Sequence, residues 1–134
     1  SIGIGIICVK EIDQINILEA TYKAMRVALA DLNQIPDIVL VDGNEANIGD
    51  YKQVNIIKGD QKSISIAAAS IIAKVTRDRM MVKYDDIYPE YGFKNHKGYG
   101  TKFHIDALKE HYATPIHRRS FNPVPKYLPN NHKN

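Results

Sequence analysis

The sequence predicts a single α/β domain, and three observations support this. Short apolar runs alternate with segments whose apolar residues recur every three or four positions, in the order strand, helix, strand, strand, helix. The two apolar runs in the middle of the chain each end in an aspartate beside a glycine, which is typical of a strand that leads into a turn. A length of 134 residues is enough for one domain with its own core.

The first predicted elements are a strand and a long helix. Residues 1–9, SIGIGIICV, place isoleucines on alternate positions, which predicts a strand. Residues 10–32 carry apolar side chains at helical spacing, which predicts an amphipathic helix. These side chains are Ile12, Ile15, Leu18, Tyr22, Met25 and Leu29. Cys8, the one cysteine, excludes an internal disulfide and is interpreted as a buried strand residue in a reducing compartment.

Two further strands follow the helix. Residues 38–41 form a continuous apolar run that ends at Asp42, which predicts a strand buried on both faces. Residues 54–57 repeat the pattern, and Asp60 follows them. Because ligand sites in α/β sheets gather beyond the carboxyl ends of strands, Asp42 and Asp60 are candidate site residues.

The second half of the chain is predicted to be mainly helical and then irregular. A helix from Ser63 or Ser65 to about Lys83 has serine as its N-cap and apolar residues on nearly all sides, which is typical of a central core helix. A glycine-rich basic loop and a short helix from about Thr101 to His111 follow. We expect residues 1–124 to form the domain and the proline-rich residues 125–134 to form a flexible tail.

Charge is distributed unevenly along the chain. The net charge is +3, but residues 1–90 contribute −3 and residues 91–134 contribute +6, together with all five histidines. A basic, aromatic half is compatible with a polyanionic partner, and a solvated surface is the alternative. No apolar run approaches the length of a membrane span, so we expect a cytoplasmic protein without a membrane partner.

Asp42 and Asp60 could share a metal ion. Two adjacent strands would bring their carboxylates within a few ångströms of each other, where they repel unless a cation lies between them. Mg²⁺ and Mn²⁺ prefer such oxygen ligands. The alternative is that both aspartates cap turns at the strand ends.

Five segments occur in an order that resembles ribonuclease HII, and EIDQINILEATYKAM is similar to the helix before the VDG strand of that family. The five segments are VLVDGN, KGDQKSISIAAASIIAKVTRD, YPEYGFKNHKGYGT, FHIDAL and HRRSF. The resemblance covers residues 1–124 and implies a ribonuclease H-like fold. It also implies metal-dependent hydrolysis of RNA in RNA–DNA hybrids. The implied activity includes incision 5′ of single ribonucleotides in duplex DNA, which leaves 3′-hydroxyl and 5′-phosphate ends.

The resemblance also implies roles for individual residues. Asp42 would be a direct metal ligand, and Asp60 would hold the second metal, Mg²⁺ or Mn²⁺, or its water. Tyr99 matches the tyrosine that packs on the deoxyribose after the ribonucleotide; from the residues alone it would be interpreted as a loop aromatic that packs on the core. The remaining nucleic-acid contacts are expected from Lys58, Lys97, Gly98, Arg118 and Arg119.

Other polar residues are not assigned to the site. Arg77 and Asp78 are interpreted as a helical ion pair. His96 and His104 are eight positions apart, which is poor spacing for zinc, so we expect a structural or phosphate-contact role.

The family's opening strand, with its adjacent Asp-Glu pair followed by Gly-Arg-Gly, has no match in this chain. We expect the missing strands to belong to a longer polypeptide or to another chain, and the 134 residues alone to bind metal weakly. A non-catalytic hybrid-binding module is the alternative function, and a purely structural domain would require the ordered motifs to be accidental. No replication-clamp motif is evident, and we expect the full-length protein to be a monomer.

Overall fold

A computed structural model describes residues 1–129, which fold as two compact units with a boundary between Ala73 and Lys74. The helices and strands are α1 (Val9–Ala30), β1 (Val39–Asp42), β2 (Gln53–Ile56), α2 (Gly59–Lys62), α3 (Ile64–Ile87), α4 (Phe93–His96) and α5 (Lys102–His111). Two 3₁₀ turns, Pro89–Tyr91 and Val124–Tyr127, complete the second unit. Among residues 1–129, none of the helices combines the length and the apolar character that crossing a membrane requires.

The predicted domain boundary at residue 124 falls within the second of these turns. Val124 is buried, and the carbonyl oxygen of Tyr127 accepts a hydrogen bond from the amide of Ala113 at 2.8 Å. Residues 130–134 of the predicted tail lie outside the described residues. The division into a domain and a flexible tail stays a prediction.

Residues 1–8 do not form the strand that the sequence predicts. Their backbone packs on α1 instead: a Cβ atom on Gly3 would lie 2.0 Å from the carbonyl oxygen of Ala28, and one on Gly5 would lie 1.9 Å from that of Ala24. Only glycine allows such a close approach. The alternation of glycine and isoleucine therefore reflects contact with a helix in this structure, not a place in a sheet.

The helix predicted after this segment is confirmed as α1, with a break at Asn16. Asn16 has φ 72° and ψ 168°, and its side-chain oxygen accepts a hydrogen bond from the amide of Glu19 at 3.0 Å. Asn16 therefore caps the second part of α1. Cys8, just before the helix, is exposed. Its interpretation as a buried strand residue is wrong, because its segment does not enter a sheet among residues 1–129.

The two predicted strands after α1 are confirmed as β1 and β2, which pair in parallel. Val39 lies opposite Gln53, and Asp42 lies opposite Ile56. The connection between the strands carries Ile48, whose side chain is fully buried. Because the pairing is parallel, both strands end at the same edge of the sheet.

One face of this two-stranded sheet is open among the described residues. Leu40 and Val54 are register partners, and they are 37% and 42% exposed. Val41 points to the other face and is buried. The prediction that β1 is buried on both faces is therefore wrong for this chain, because the described elements cover one face only.

The long helix predicted from the serine-rich segment is confirmed as α3. The hydroxyl of Ser63 accepts a hydrogen bond from the amide of Ile66 at 3.3 Å, so serine caps the helix as predicted. Ile66 is buried, but Ile64 is 91% exposed. The prediction that this helix is buried on nearly all sides is therefore wrong within residues 1–129. The other exposed large apolar residues of α3 are Ile71, Ile72, Val75, Val82 and Ile87.

The second unit has its own aromatic core. Tyr91 and Phe93 are buried with stacked rings whose centres are 5.4 Å apart, and Ala107 and Leu108 of α5 complete the cluster. The helix predicted from about Thr101 to His111 is confirmed as α5.

Two histidines are buried beside this core and contact each other. Nε2 of His104 lies 3.0 Å from Nε2 of His117. Burial lowers the pKa of His104, and burial with the nearby His104 and His96 lowers the pKa of His117 to about 4. The rings of Tyr91 and Phe93 pack against His117 from the core side. The folded state therefore favours two neutral imidazoles.

The close approach of residues 1–8 to α1 predicts a large effect of Gly5→Ala. The added methyl group would overlap the carbonyl oxygen of Ala24, so we expect a loss of about 2–4 kcal/mol in the free energy of unfolding, measured by urea denaturation. Gly100→Ala is the control, because a Cβ atom there meets nothing within 4 Å. Equal losses in the two variants would contradict the observed packing.

The buried histidine pair predicts a stability that decreases in acid. The unfolded chain binds a proton at His117 near the ordinary pKa of 6.5, whereas the folded chain resists it down to about 4. Stability should therefore decrease as the pH falls from 6.5 towards 4, by about 2 kcal/mol at pH 4.5 relative to pH 7.5. Denaturant unfolding at a series of pH values measures this. His117→Gln, which does not titrate, should remove most of the dependence of stability on pH. An unchanged dependence would show that other groups cause it.

Candidate functional site

Asp42 is the last residue of β1, and its carboxylate bridges to the segment after β2. Its Oδ1 atom accepts a hydrogen bond from the amide of Gly59 at 2.9 Å. Gly43 follows with φ 117°, a conformation that glycine adopts readily, so the chain turns away directly after Asp42. The Asp-Gly pair thus places the carboxylate at the edge of the sheet, as the sequence predicts.

Asp60 lies on the first turn of α2 and not at the end of a strand, where the sequence places it. β2 ends at Ile56, and Lys58 adopts a left-handed conformation with φ 54° before α2 begins at Gly59. Gly59 is buried, and a Cβ atom on it would lie 2.6 Å from Cδ1 of Ile66. A larger residue at position 59 would therefore displace the side chain of Ile66, and the turn leaves Asp60 and Lys58 exposed.

The structure thus brings the segments of Asp42 and Asp60 together at one sheet edge. Both aspartates are exposed. Within residues 1–129 there is no group of three or more His, Cys, Asp or Glu residues that could hold a metal ion. The two carboxylates supply the oxygen ligands that Mg²⁺ and Mn²⁺ prefer, but they form part of a ligand set and not a whole one.

In the second unit, the glycine-rich loop presents the side chain of Tyr99, which is 71% exposed. Lys97 and Gly98 precede it with φ values of 54° and 87°. Nη1 of Arg77 donates a hydrogen bond to the carbonyl oxygen of Lys97 at 2.6 Å, and its guanidinium carbon lies 5.8 Å from the centre of the Tyr99 ring. Arg77 therefore supports the loop from α3.

The backbone of this loop is also held by two histidines. The amide of Gly98 donates to Nδ1 of His96 at 3.1 Å, and Nε2 of His96 lies 2.5 Å from the carbonyl oxygen of Tyr91. Nδ1 of His104 lies 2.9 Å from the carbonyl oxygen of Tyr99. The predicted structural role of His96 and His104 is therefore seen directly in the hydrogen bonds of the loop.

Arg118 and Arg119 follow His117 in the loop after α5. The guanidinium carbon of Arg118 lies 4.7 Å from the centre of the Phe121 ring, and its Nε atom is buried with no hydrogen-bond partner among the described residues. Arg119 is exposed. The guanidinium group of Arg118 thus packs on an aromatic ring, whereas the side chain of Arg119 is exposed.

Sequence reasoning misses the roles of two residues of the second unit that support the Tyr99 loop. Arg77 is interpreted as an ion-pair partner of Asp78, whereas Asp78 pairs with Lys74 at 3.2 Å. His117 is not singled out, because its partner His104 is 13 positions away and no local pattern joins them. The available signals are the concentration of histidines in the basic half and the segments FHIDAL and HRRSF, which contain the two residues.

Comparisons with known proteins identify the family of this chain. The model of the family described as ribonuclease HII matches residues 4–124. Ribonuclease HII of Clostridioides difficile is 59% identical over 119 residues, which are 89% of this chain and 47% of that protein. Ribonuclease HII of Listeria innocua is 59% identical over 124 residues, with 92% and 47% covered. The chain therefore spans about half the length of the curated relatives it matches.

A solved structure is similar as well. The crystal structure of the ribonuclease H2 from Pyrococcus horikoshii matches with a TM-score of 0.77 and 29% sequence identity, over 96% of this chain and 68% of that one. The likeness confirms the predicted ribonuclease H-like α/β fold class. With more than half of its residues matched by the family model, the chain belongs to the ribonuclease HII family.

Proposed function

We propose that this chain is part of a metal-dependent endonuclease that hydrolyses the RNA of RNA–DNA hybrids. It would also incise 5′ of single ribonucleotides in duplex DNA and leave 3′-hydroxyl and 5′-phosphate ends. The hydrogen bond from Gly59 to Asp42 carries the proposal, because it places the segment of Asp60 beside Asp42 within the region matched to the family. We expect this enzyme to act in the cytoplasm as a monomer, without a membrane or clamp partner.

Asp42 and Asp60 are the residues that would hold Mg²⁺ or Mn²⁺. One oxygen of Asp42 is engaged by Gly59, which leaves the other oxygen and the exposed carboxylate of Asp60 as ligands. The bound metals would activate the attacking water and stabilise the leaving 3′ oxygen. Since the relatives are about twice as long as this chain, we propose that the remaining ligands come from sequence matching their other half.

The chain's other predicted site residues would bind and orient the nucleic acid. Lys58 is exposed two positions before Asp60, where its ammonium group can neutralise a phosphate near the scissile bond. The exposed ring of Tyr99 offers a flat apolar face to a deoxyribose. Lys97 and Gly98 precede Tyr99 in the chain and would contact phosphates, as would the exposed Arg119 in the loop after α5 and Arg118, whose guanidinium group packs on Phe121.

The proposal predicts that Asp42→Asn abolishes cleavage in a completed enzyme. We suggest a chimera in which this chain replaces the matching half of the Clostridioides difficile protein, assayed on a labelled DNA duplex with one ribonucleotide in Mg²⁺ or Mn²⁺. The substitution removes a charged metal ligand, so the cleavage rate should decrease by at least about 100-fold.

Asp78→Asn is the matched control for this experiment, because Asp78 makes an exposed helical ion pair with Lys74 and should leave the rate unchanged. Full cleavage by the Asp42→Asn chimera would refute the assignment. Tight duplex binding without cleavage in the unmutated chimera would instead favour the non-catalytic hybrid-binding module.

Tyr99→Ala is predicted to weaken the preference for the RNA–DNA junction. Loss of the aromatic face should lower the ratio of cleavage at a junction to cleavage within continuous RNA by about tenfold, whereas Tyr99→Phe keeps the ring and should retain the ratio. Rates on two labelled substrates measure it. A similar loss in both variants would assign the effect to the hydroxyl group and not to the ring.

A further inference from the structure

A continuous series of hydrogen bonds joins the loop after α5 to the loop that presents Tyr99. The amide of Thr114 donates to Nδ1 of His117 at 3.0 Å. Nε2 of His117 lies 3.0 Å from Nε2 of His104, and Nδ1 of His104 lies 2.9 Å from the carbonyl oxygen of Tyr99. Each imidazole uses both of its nitrogens, so the pair forms a bridge between two loops.

The donors and acceptors of this bridge follow from its two ends. Because the amide of Thr114 donates to Nδ1 of His117, that nitrogen has no proton, and the ring carries its proton on Nε2. Nε2 of His117 therefore donates to Nε2 of His104. His104 then carries its proton on Nδ1 and donates it to the carbonyl oxygen of Tyr99.

The geometry of the bridge favours two neutral rings. A second proton on His104 would set two N–H groups against each other at His104–His117. A second proton on His117 would face the amide of Thr114, although the hydroxyl oxygen of Thr114 also lies 2.9 Å from the same Nδ1 atom. The surroundings favour neutrality as well: both rings are buried, His96 stacks on His104 with ring centres 4.4 Å apart, and Phe93 packs edge-on to His104. Burial lowers the pKa of both histidines, which agrees with this geometry.

The two loops that the bridge joins carry most of the predicted nucleic-acid contacts. On one side, the carbonyl oxygen of Tyr99 is held by His104, while its amide donates to the carbonyl oxygen of His96 at 3.0 Å. On the other side, Arg118 and Arg119 follow His117 directly in the chain. The exposed ring of Tyr99 thus extends from a backbone whose amide and carbonyl oxygen are both hydrogen-bonded.

We propose that His104 is a positioning residue, which holds the carbonyl oxygen of Tyr99 and with it the loop that binds nucleic acid. His117 sets the tautomer of His104, because its Nε2 atom donates to Nε2 of His104. The assignment rests on the proposed function in taking Tyr99 as a nucleic-acid contact. His104 does not reach the surface to touch the duplex, because it is buried. Its effect on binding passes through the carbonyl oxygen of Tyr99.

The test compares His104→Asn with His104→Gln in the full 134-residue chain. The amide nitrogen of an asparagine is as many bonds from Cα as Nδ1 of a histidine, so it can donate to the carbonyl oxygen of Tyr99. The amide of a glutamine is one bond longer and matches Nε2 instead. Both variants introduce a carboxamide, so a general loss of packing does not explain a difference in favour of the shorter one.

Two readouts decide the outcome. Fluorescence anisotropy measures the affinity for a DNA duplex with one ribonucleotide: His104→Asn should bind within about threefold of wild type, whereas His104→Gln and His104→Ala should lose about tenfold. NMR spectra of the ¹⁵N-labelled chain should show the proton on Nδ1 of His104 and on Nε2 of His117. They should also show amide signals of Gly98 and Tyr99 that move further in His104→Gln than in His104→Asn.

His111→Gln, on the same helix but outside the bridge, should change neither readout. Equal losses in His104→Asn and His104→Gln, or a His104 proton on Nε2, would overturn the positioning role. If the wild-type chain binds no duplex while the loop signals respond as expected, the proposed function of Tyr99 fails and the bridge stands. The loop signals alone decide the bridge, so the two failures are distinguishable.

Discussion

The hydrogen bond from the amide of Gly59 to the carboxylate of Asp42 determines where both predicted metal ligands lie. Parallel pairing ends at Asp42 and Ile56, and beyond that point this bond and the one from the amide of Gly43 to the carbonyl oxygen of Ile56 join the two segments. Glycine suits position 59, because the side chain of Ile66 lies where a Cβ atom would be. The buried Ile66 of α3 therefore packs against the turn that leads to the exposed Asp60.

The sequence was sufficient where structure depends on neighbouring residues. The strands β1 and β2 follow from short apolar runs that end in turn residues, and the start of α3 follows from a serine whose hydroxyl reaches an amide three positions on. Asp42 could be identified for the same reason, since an Asp-Gly pair after a strand places a carboxylate at the sheet edge. Asp60 is a candidate site residue from the sequence as well, but the sequence does not predict the short helix α2 that carries it.

The sequence was insufficient where structure depends on which distant segment of the chain packs against a residue. Isoleucines that alternate with Gly3 and Gly5 give the same period of two whether the glycines face a strand or a helix, so residues 1–9 are predicted as a strand. The exposure of Leu40 depends on whether an element covers that face of the sheet. His104 and His117 meet because of the path of the chain after α5, and no spacing rule contains that information.

The compact core of the second unit has a consequence for how the molecule forms. Tyr91, Phe93, Ala107 and Leu108 all lie within 18 positions of one another, so bringing them together closes only short loops. The register partners of β1 and β2, such as Val39 and Gln53, are also close in the sequence, so the parallel pair closes a loop of similar length. Both units can therefore form from contacts of short sequence separation, which is typical of domains that fold rapidly.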